Sequence, residues 1–117
     1  MKEYNNILTE RMNHGFLTLI EAIDGLKKEG VTMEFVANKR GFYDMESGET
    51  YLPESIRRVE SIIIDGVYSE PDARSIIYVL ETVEGGKGWV SDAYGFYADD
   101  TLLEHLERIK ENFNHPV

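Results

Sequence analysis

The chain predicts an α+β fold, with an antiparallel sheet of about five strands and an N-terminal and a C-terminal helix packed on it. Three observations carry this. Residues 18–30 and 101–113 space their apolar side chains at the helical period. Between them the period falls to two, and β-branched runs such as Ile62-Ile63-Ile64 appear. The strand-like segments follow one another through short turns, Glu46-Ser47-Gly48 and Glu84-Gly85-Gly86, so sequence neighbours are expected to run antiparallel. The 117 residues fit one domain, 1–117, with a core over 16–113. Residues 1–15 read as an N-terminal arm or an extra helix.

Each element has its own signals. Residues 3–13 fit two readings, a helix through Tyr4, Ile7, Leu8 and Met12 or a frayed arm, because two consecutive asparagines weaken the helix. Over 18–30, Thr18 and Glu21 make a capping box. There Leu19, Ile23 and Leu26 form the stripe, Ile20 and Ala22 lie beside it, and Gly30 supplies the left-handed stop. Residues 32–37 alternate, with Met33 and Phe35 on one side. Gly41–Met45 and Glu49–Leu52 flank a hairpin turn, and Pro53 breaks the strand that follows. Residues 58–65 suit a buried strand, ended by Gly66, with Ser69-Glu70-Pro71-Asp72 as a loop. Residues 75–82 are apolar on both faces, as a central strand covered on both sides requires. They pair with 87–93 across the Glu84-Gly85-Gly86 turn. The last helix starts with a Thr101/Glu104 capping box favoured by Asp99 and Asp100. Its stripe is Leu102, Leu106, Ile109 and Phe113, supported by Leu103.

Charge and composition exclude several function classes. The net charge of −10 disfavours binding to phosphate backbones, so no nucleic-acid partner is expected. Residues 1–60 hold 8 basic and 11 acidic side chains, and residues 61–117 hold 4 and 11, so a cationic partner would favour the second half. Absence of cysteine removes disulfides, thiolate catalysis and thiolate-bound zinc, and suits a cytoplasmic setting. No segment approaches the ~20 apolar residues of a membrane span. The opening MKEYNNILTERMNHG lacks the apolar stretch of a secretory signal. No membrane partner is expected.

The block from Lys87 to Asp99 departs from plain strand or helix patterning. It holds four aromatics, two glycines and two carboxylates in thirteen residues. Strand alternation places Trp89, Ser91 and Ala93 on one face and Val90 and Asp92 on the other, before Tyr94-Gly95 breaks the strand. Two readings follow. Trp89, Asp92, Tyr94, Gly95 and Tyr97 can line a ligand pocket, with aromatic faces as walls and Asp92 as polar anchor. Alternatively the aromatics fill core at a packed corner, and Gly95 permits a positive φ.

Other chemistry is weakly signalled. Asp65, Glu70, Asp72, Asp92, Asp99 and Asp100 sit at strand ends or in loops, but their spacing matches no EF-hand. No resident metal or cofactor is expected. His14, His105 and His115 lack the paired spacing of a zinc helix, and His105 reads as a solvated side chain off the apolar stripe. No G-x-S-x-G elbow is present. Gly85-Gly86-Lys87-Gly88 lacks the hydroxyl residue and following helix of a phosphate loop.

Leu19–Val31 (LIEAIDGLKKEGV), Asp65–Asp72 (DGVYSEPD), Ser75–Thr82 (SIIYVLET) and Gly86–Asp99 (GKGWVSDAYGFYAD), in this order, resemble a family of short bacterial single-domain proteins. Those proteins often carry the automatic name "phosphoribosylpyrophosphate synthetase". The resemblance covers most of residues 18–100, and its most specific part is K-G-x-x-x-D-A-Y-G-x-Y-A-D. Ala73 departs from an acidic position in that pattern. Enzymes of that name are similar to two stacked α/β domains, with a ribose-phosphate loop of two adjacent acids before a Gly/Thr-rich turn. This chain has no such loop, so the name does not carry a function to it.

The expectation is therefore a small non-enzymatic domain, a homodimer, that binds a small molecule or a protein partner. The alternative is a metal-assisted enzyme on a phosphate or sugar-phosphate substrate. There Asp72, Asp92 and Asp99 would hold the cation, and Lys87 or Arg74 would meet the phosphate.

Overall fold

A computed structural model of the chain describes residues 8–11, 19–64, 75–93 and 99–114. Their elements run β1 (Leu8–Arg11), α1 (Leu19–Lys28), β2 (Met33–Ala37), β3 (Phe42–Asp44), β4 (Thr50–Tyr51), a 3₁₀ turn (Pro53–Ser55), β5 (Ile56–Ile64), β6 (Ser75–Thr82), β7 (Lys87–Ala93) and α2 (Asp100–Asn114). The class is α+β as expected, but the sheet is larger and mixed. Its seven strands stand in the order β1-β5-β6-β7-β2-β3-β4. The pairs β5–β6, β6–β7, β2–β3 and β3–β4 are antiparallel. The pairs β1–β5 and β2–β7 are parallel. Both parallel pairs join segments far apart in sequence, which turn signals between neighbours cannot reveal.

The N-terminal segment corrects a second expectation. Residues 8–11 lie in the stretch read as a helix or an arm, and they form a strand in register with Val59–Ile62. The edge of β5 supplies a ready template of backbone donors and acceptors, and this long-range pairing overrides local helical spacing.

Strand β6 is the hinge of the core. All of its residues except Ser75 are buried. Ile76, Tyr78 and Leu80 point to one side, where they pack with Phe35, Phe42, Val59, Val90 and the α2 residues Leu102 and Ile109. Ile77 and Val79 point to the other, where they meet Ile62, Ile64, Trp89, Val31 and the α1 residues Ala22 and Leu26. The two helices thus lie on opposite faces of the sheet. In β5 a register shift between Ile56 and Arg58 turns Ile56 to the same side as Val59, which simple alternation would not do.

Helix ends follow their residues, with one correction. At the end of α1, Val31 N–H donates to Leu26 O (3.0 Å) and Gly30 N–H to Lys27 O (3.1 Å), with Gly30 at φ +95°. This is a Schellman stop, and its apolar contact is Leu26 with Val31 in the buried cluster. Gly48 and Gly85 take left-handed positions in the two expected hairpin turns. At α2 the cap is Asp99 rather than Thr101. Asp99 Oδ1 accepts from Thr101 N–H at 2.9 Å and Leu102 N–H at 3.4 Å. The Asp99 carboxylate, two residues earlier, satisfies the free donors, so the helix begins at Asp100. Ile20 and Leu103, placed beside the apolar stripes, are exposed. Thr18, Gly66 and the 69–72 loop lie outside the described residues. No helix among the described residues is long and apolar enough to cross a membrane.

Candidate functional site

Strand β7 carries the site the sequence singled out, and its first residues fix the geometry. Gly88 and Trp89 pair with Met33 and Glu34 of β2. A side chain at Gly88 would overlap the Phe35 ring and come within 2.8 Å of the Met33 carbonyl oxygen. Glycine is what lets β2 come this close. The pairing covers only these two positions on each strand, and beyond them the strands part. The sheet therefore forks, with Phe35–Ala37 on one branch and Val90–Ala93 on the other.

Trp89 and Glu34 stand at the base of this fork. One hollow of about 200 Å³ opens between the branches, lined by Glu34, Val36, Trp89, Ser91, Asp99 and Leu102 among others. A second of about 340 Å³ lies beside α1 and is lined by Lys27, Thr32, Glu34, Met45, Glu46 and Trp89. Trp89 itself is 9% exposed and belongs to the core cluster under α1, so the packed reading holds for most of its ring. Its indole nitrogen differs. Nε1 is buried and has no hydrogen-bond partner among the described residues. Buried donors are nearly always paired, and an unpaired one costs about 1–3 kcal/mol.

Asp92 has a local structural task. Its Oδ2 accepts the backbone N–H of Asp99 at 2.9 Å, which ties the far end of β7 to the start of α2. Asp92 and Asp99 are thereby neighbours, but Asp99 Oδ1 is engaged in capping. Tyr94, Gly95 and Tyr97, the other members of the expected site, lie outside the described residues, as do Asp72 and Arg74. Among the described residues no three His, Asp or Glu side chains gather as a metal site would require.

Lys87 does not join Asp92. Five positions along β7 separate them, about 17 Å at strand rise. They also face opposite sides, because one number is odd and the other even. Lys87 belongs to a cross-strand row, Arg58–Glu81–Lys87, fixed by register. Within it Glu81 is buried and accepts Arg57 Nη2 at 2.7 Å, with Arg58 Nη1 at 3.8 Å. A hollow of about 230 Å³ there is lined by Glu29, Arg58, Glu60, Glu81 and Lys87. One acid stands between two bases in the row, and with Arg57 and the hollow's Glu29 and Glu60 three bases meet three acids.

Two residues of consequence escaped the sequence reading. His105 is 7% exposed, not solvated. Its Nε2 lies 2.7 Å from the Asn38 carbonyl oxygen, so that nitrogen carries the proton, and its ring meets Phe42 edge-on at 5.4 Å. The signal was present: His105 stands three residues after Leu102 and four before Ile109, which is core spacing. Glu34 alternates with Met33 and Phe35 along β2, but its place beside Trp89 depends on the parallel pairing. Comparison of the chain with known protein families, with curated protein sequences and with solved structures finds no match.

Proposed function

We propose that the protein is a non-enzymatic domain that binds a small polar molecule at the fork between β2 and β7. The observation that carries this is the buried Trp89 Nε1 donor, without an acceptor among the described residues, on a side chain that lines both hollows. A ligand oxygen that reaches it recovers the missing hydrogen bond. Nε1 is closed off from solvent, so binding includes a small shift of the side chains that cover it. Glu34 and Asp99 line the cleft and favour hydrogen-bond donors or positive charge elsewhere on the same molecule. The overall charge of −10 acts in that direction too.

Trp89 is the single tryptophan, so its indole N–H gives one isolated resonance in a ¹⁵N-labelled sample. Amino acids, amines, polyols and nucleosides, each added at millimolar concentration, form a suitable panel. The expected result is a compound that moves this resonance downfield and binds about five- to ten-fold more weakly to Trp89→Phe, the equivalent of about 1 kcal/mol for one net hydrogen bond. An indole resonance indifferent to every compound, or undiminished binding to Trp89→Phe, would refute the proposal.

A further inference from the structure

The α1-facing side of the sheet is covered over only half its width. Helix α1 packs on β5, β6 and β7 through Ala22 and Leu26. On β2, β3 and β4 the same side presents the register row Val36–Tyr43–Thr50, with Val36 46% and Tyr43 37% exposed. Two further apolar side chains border this bare strip. Met45, 55% exposed, follows β3. Ile20, 72% exposed, stands on the helix stripe Ile20–Asp24–Lys27, and Lys27 lines the hollow that holds Met45 and Trp89. The stripe therefore flanks the strip, and four exposed apolar side chains fall on one surface. Among the described residues, the hollow beside them supplies Glu34, Glu46 and the base Lys27, and Asp24 stands on the helix stripe.

We infer that this strip docks an amphipathic helix with a basic rim, supplied by another protein. Its dimensions fit one helix. Three strands at about 4.8 Å spacing place the outer two about 10 Å apart, the width of a helix. The five residues of β2 run about 16 Å, which a helix of about 11 residues spans. Beside α1 such a helix extends the helical layer over the strands that α1 leaves bare. The charge selects the partner. A second copy would set three acids against three acids on a chain already at −10, whereas a Lys- or Arg-rimmed helix meets complementary charge. The strip shares Glu34, Val36, Met45 and Glu46 with the rims of the two hollows, but the inference makes no use of Trp89 Nε1 and does not rest on small-molecule binding.

The test uses the full chain, ¹⁵N-labelled, with a Leu/Lys amphipathic peptide of about 14 residues and its Leu/Glu counterpart. The Leu/Lys peptide is expected to bind, with amide shifts confined to the surroundings of Ile20, Val36, Tyr43 and Met45, and the Leu/Glu peptide is not. The double variant Val36→Lys/Tyr43→Lys should abolish binding. Because two lysines on a sheet face can disturb folding, Asp24→Asn/Glu34→Gln/Glu46→Gln provides a second variant, expected to weaken binding about ten-fold through three exposed charge pairs. Equal binding of both peptides, or shifts spread over the acidic surface, overturns the inference. So does a dimer in sedimentation at tens of micromolar that the Val36/Tyr43 double variant dissociates, because the occupant is then a second copy.

Discussion

Replacing Gly88 by alanine tests the junction on which the candidate site depends. The new methyl would overlap the Phe35 ring and press on Met33, whose Cβ and carbonyl oxygen would both lie at 2.8 Å. Phe35 is fixed by edge contacts to Phe42 at 6.2 Å and Tyr51 at 5.6 Å, and a strand carbonyl cannot yield without opening the two-residue ladder. Overpacking of this kind costs about 2–3 kcal/mol, less the roughly 0.5 kcal/mol that alanine recovers in backbone entropy. The net is about 2 kcal/mol. Unfolding entropy near 2.1 cal/mol/K per residue gives about 0.25 kcal/mol/K for this chain, so Tm should fall by about 8 °C.

Two neighbours serve as controls in the same thermal melts. At Gly86 an added methyl meets mainly the mobile Cε of Met33, so Gly86→Ala should change stability by less than about 0.5 kcal/mol. Gly85 faces open space but holds φ +102°, so Gly85→Ala should cost about 1–2 kcal/mol through backbone strain alone. A Gly88→Ala protein that melts within about 2 °C of the parent would refute the close approach of β2 to β7. Equal losses at Gly86 and Gly88 would show that the contact is not the cause.

Asp99→Ala removes the cap of α2 and should cost about 1 kcal/mol in urea unfolding, while Asp99→Asn, which keeps the accepting oxygen, should stay within a few tenths. The Tyr51 phenol is held above its ordinary value of 10.0, first by burial and then by the negative charges of Glu49, Asp44 and Glu84. A raised folded value means that the contribution of Tyr51 to stability is intact below pH 10 and is lost as pH rises through the folded value. The difference in stability between the parent and Tyr51→Phe should therefore be flat at neutral pH and change above pH 10, and a constant difference across that range would contradict the assignment.

Much of the local structure was readable because its causes are local. Gly30 ended α1, the two hairpin turns formed where glycine sits, and the two-sided apolar pattern of 75–82 marked the central strand. The alternation that put Trp89 and Val90 on opposite faces also held. The failures have a common origin. Pairing of β1 with β5 and of β2 with β7 is decided by which strand edges remain open after the hairpins form, and no residue within 8–11 or 33–34 encodes that outcome by itself. His105 was misread because its polarity was weighed above its position three residues from Leu102 and four from Ile109.

The candidate site divides along the same line. Strand direction and side-chain alternation along β7, both local, placed Trp89 on one face and Asp92 on the other. Only the tertiary structure gave Asp92 the backbone of Asp99 as a partner, separated Lys87 from it by the length of the strand, and set Glu34 beside Trp89. By itself the sequence determined helices, turns and the central strand, because capping, periodicity and glycine conformation act within a few residues. The mixed sheet, the fork and the bare strip beside α1 were decided by contacts between distant segments, where open strand edges and the reach of one helix, not any local motif, settle what is covered and what is left exposed.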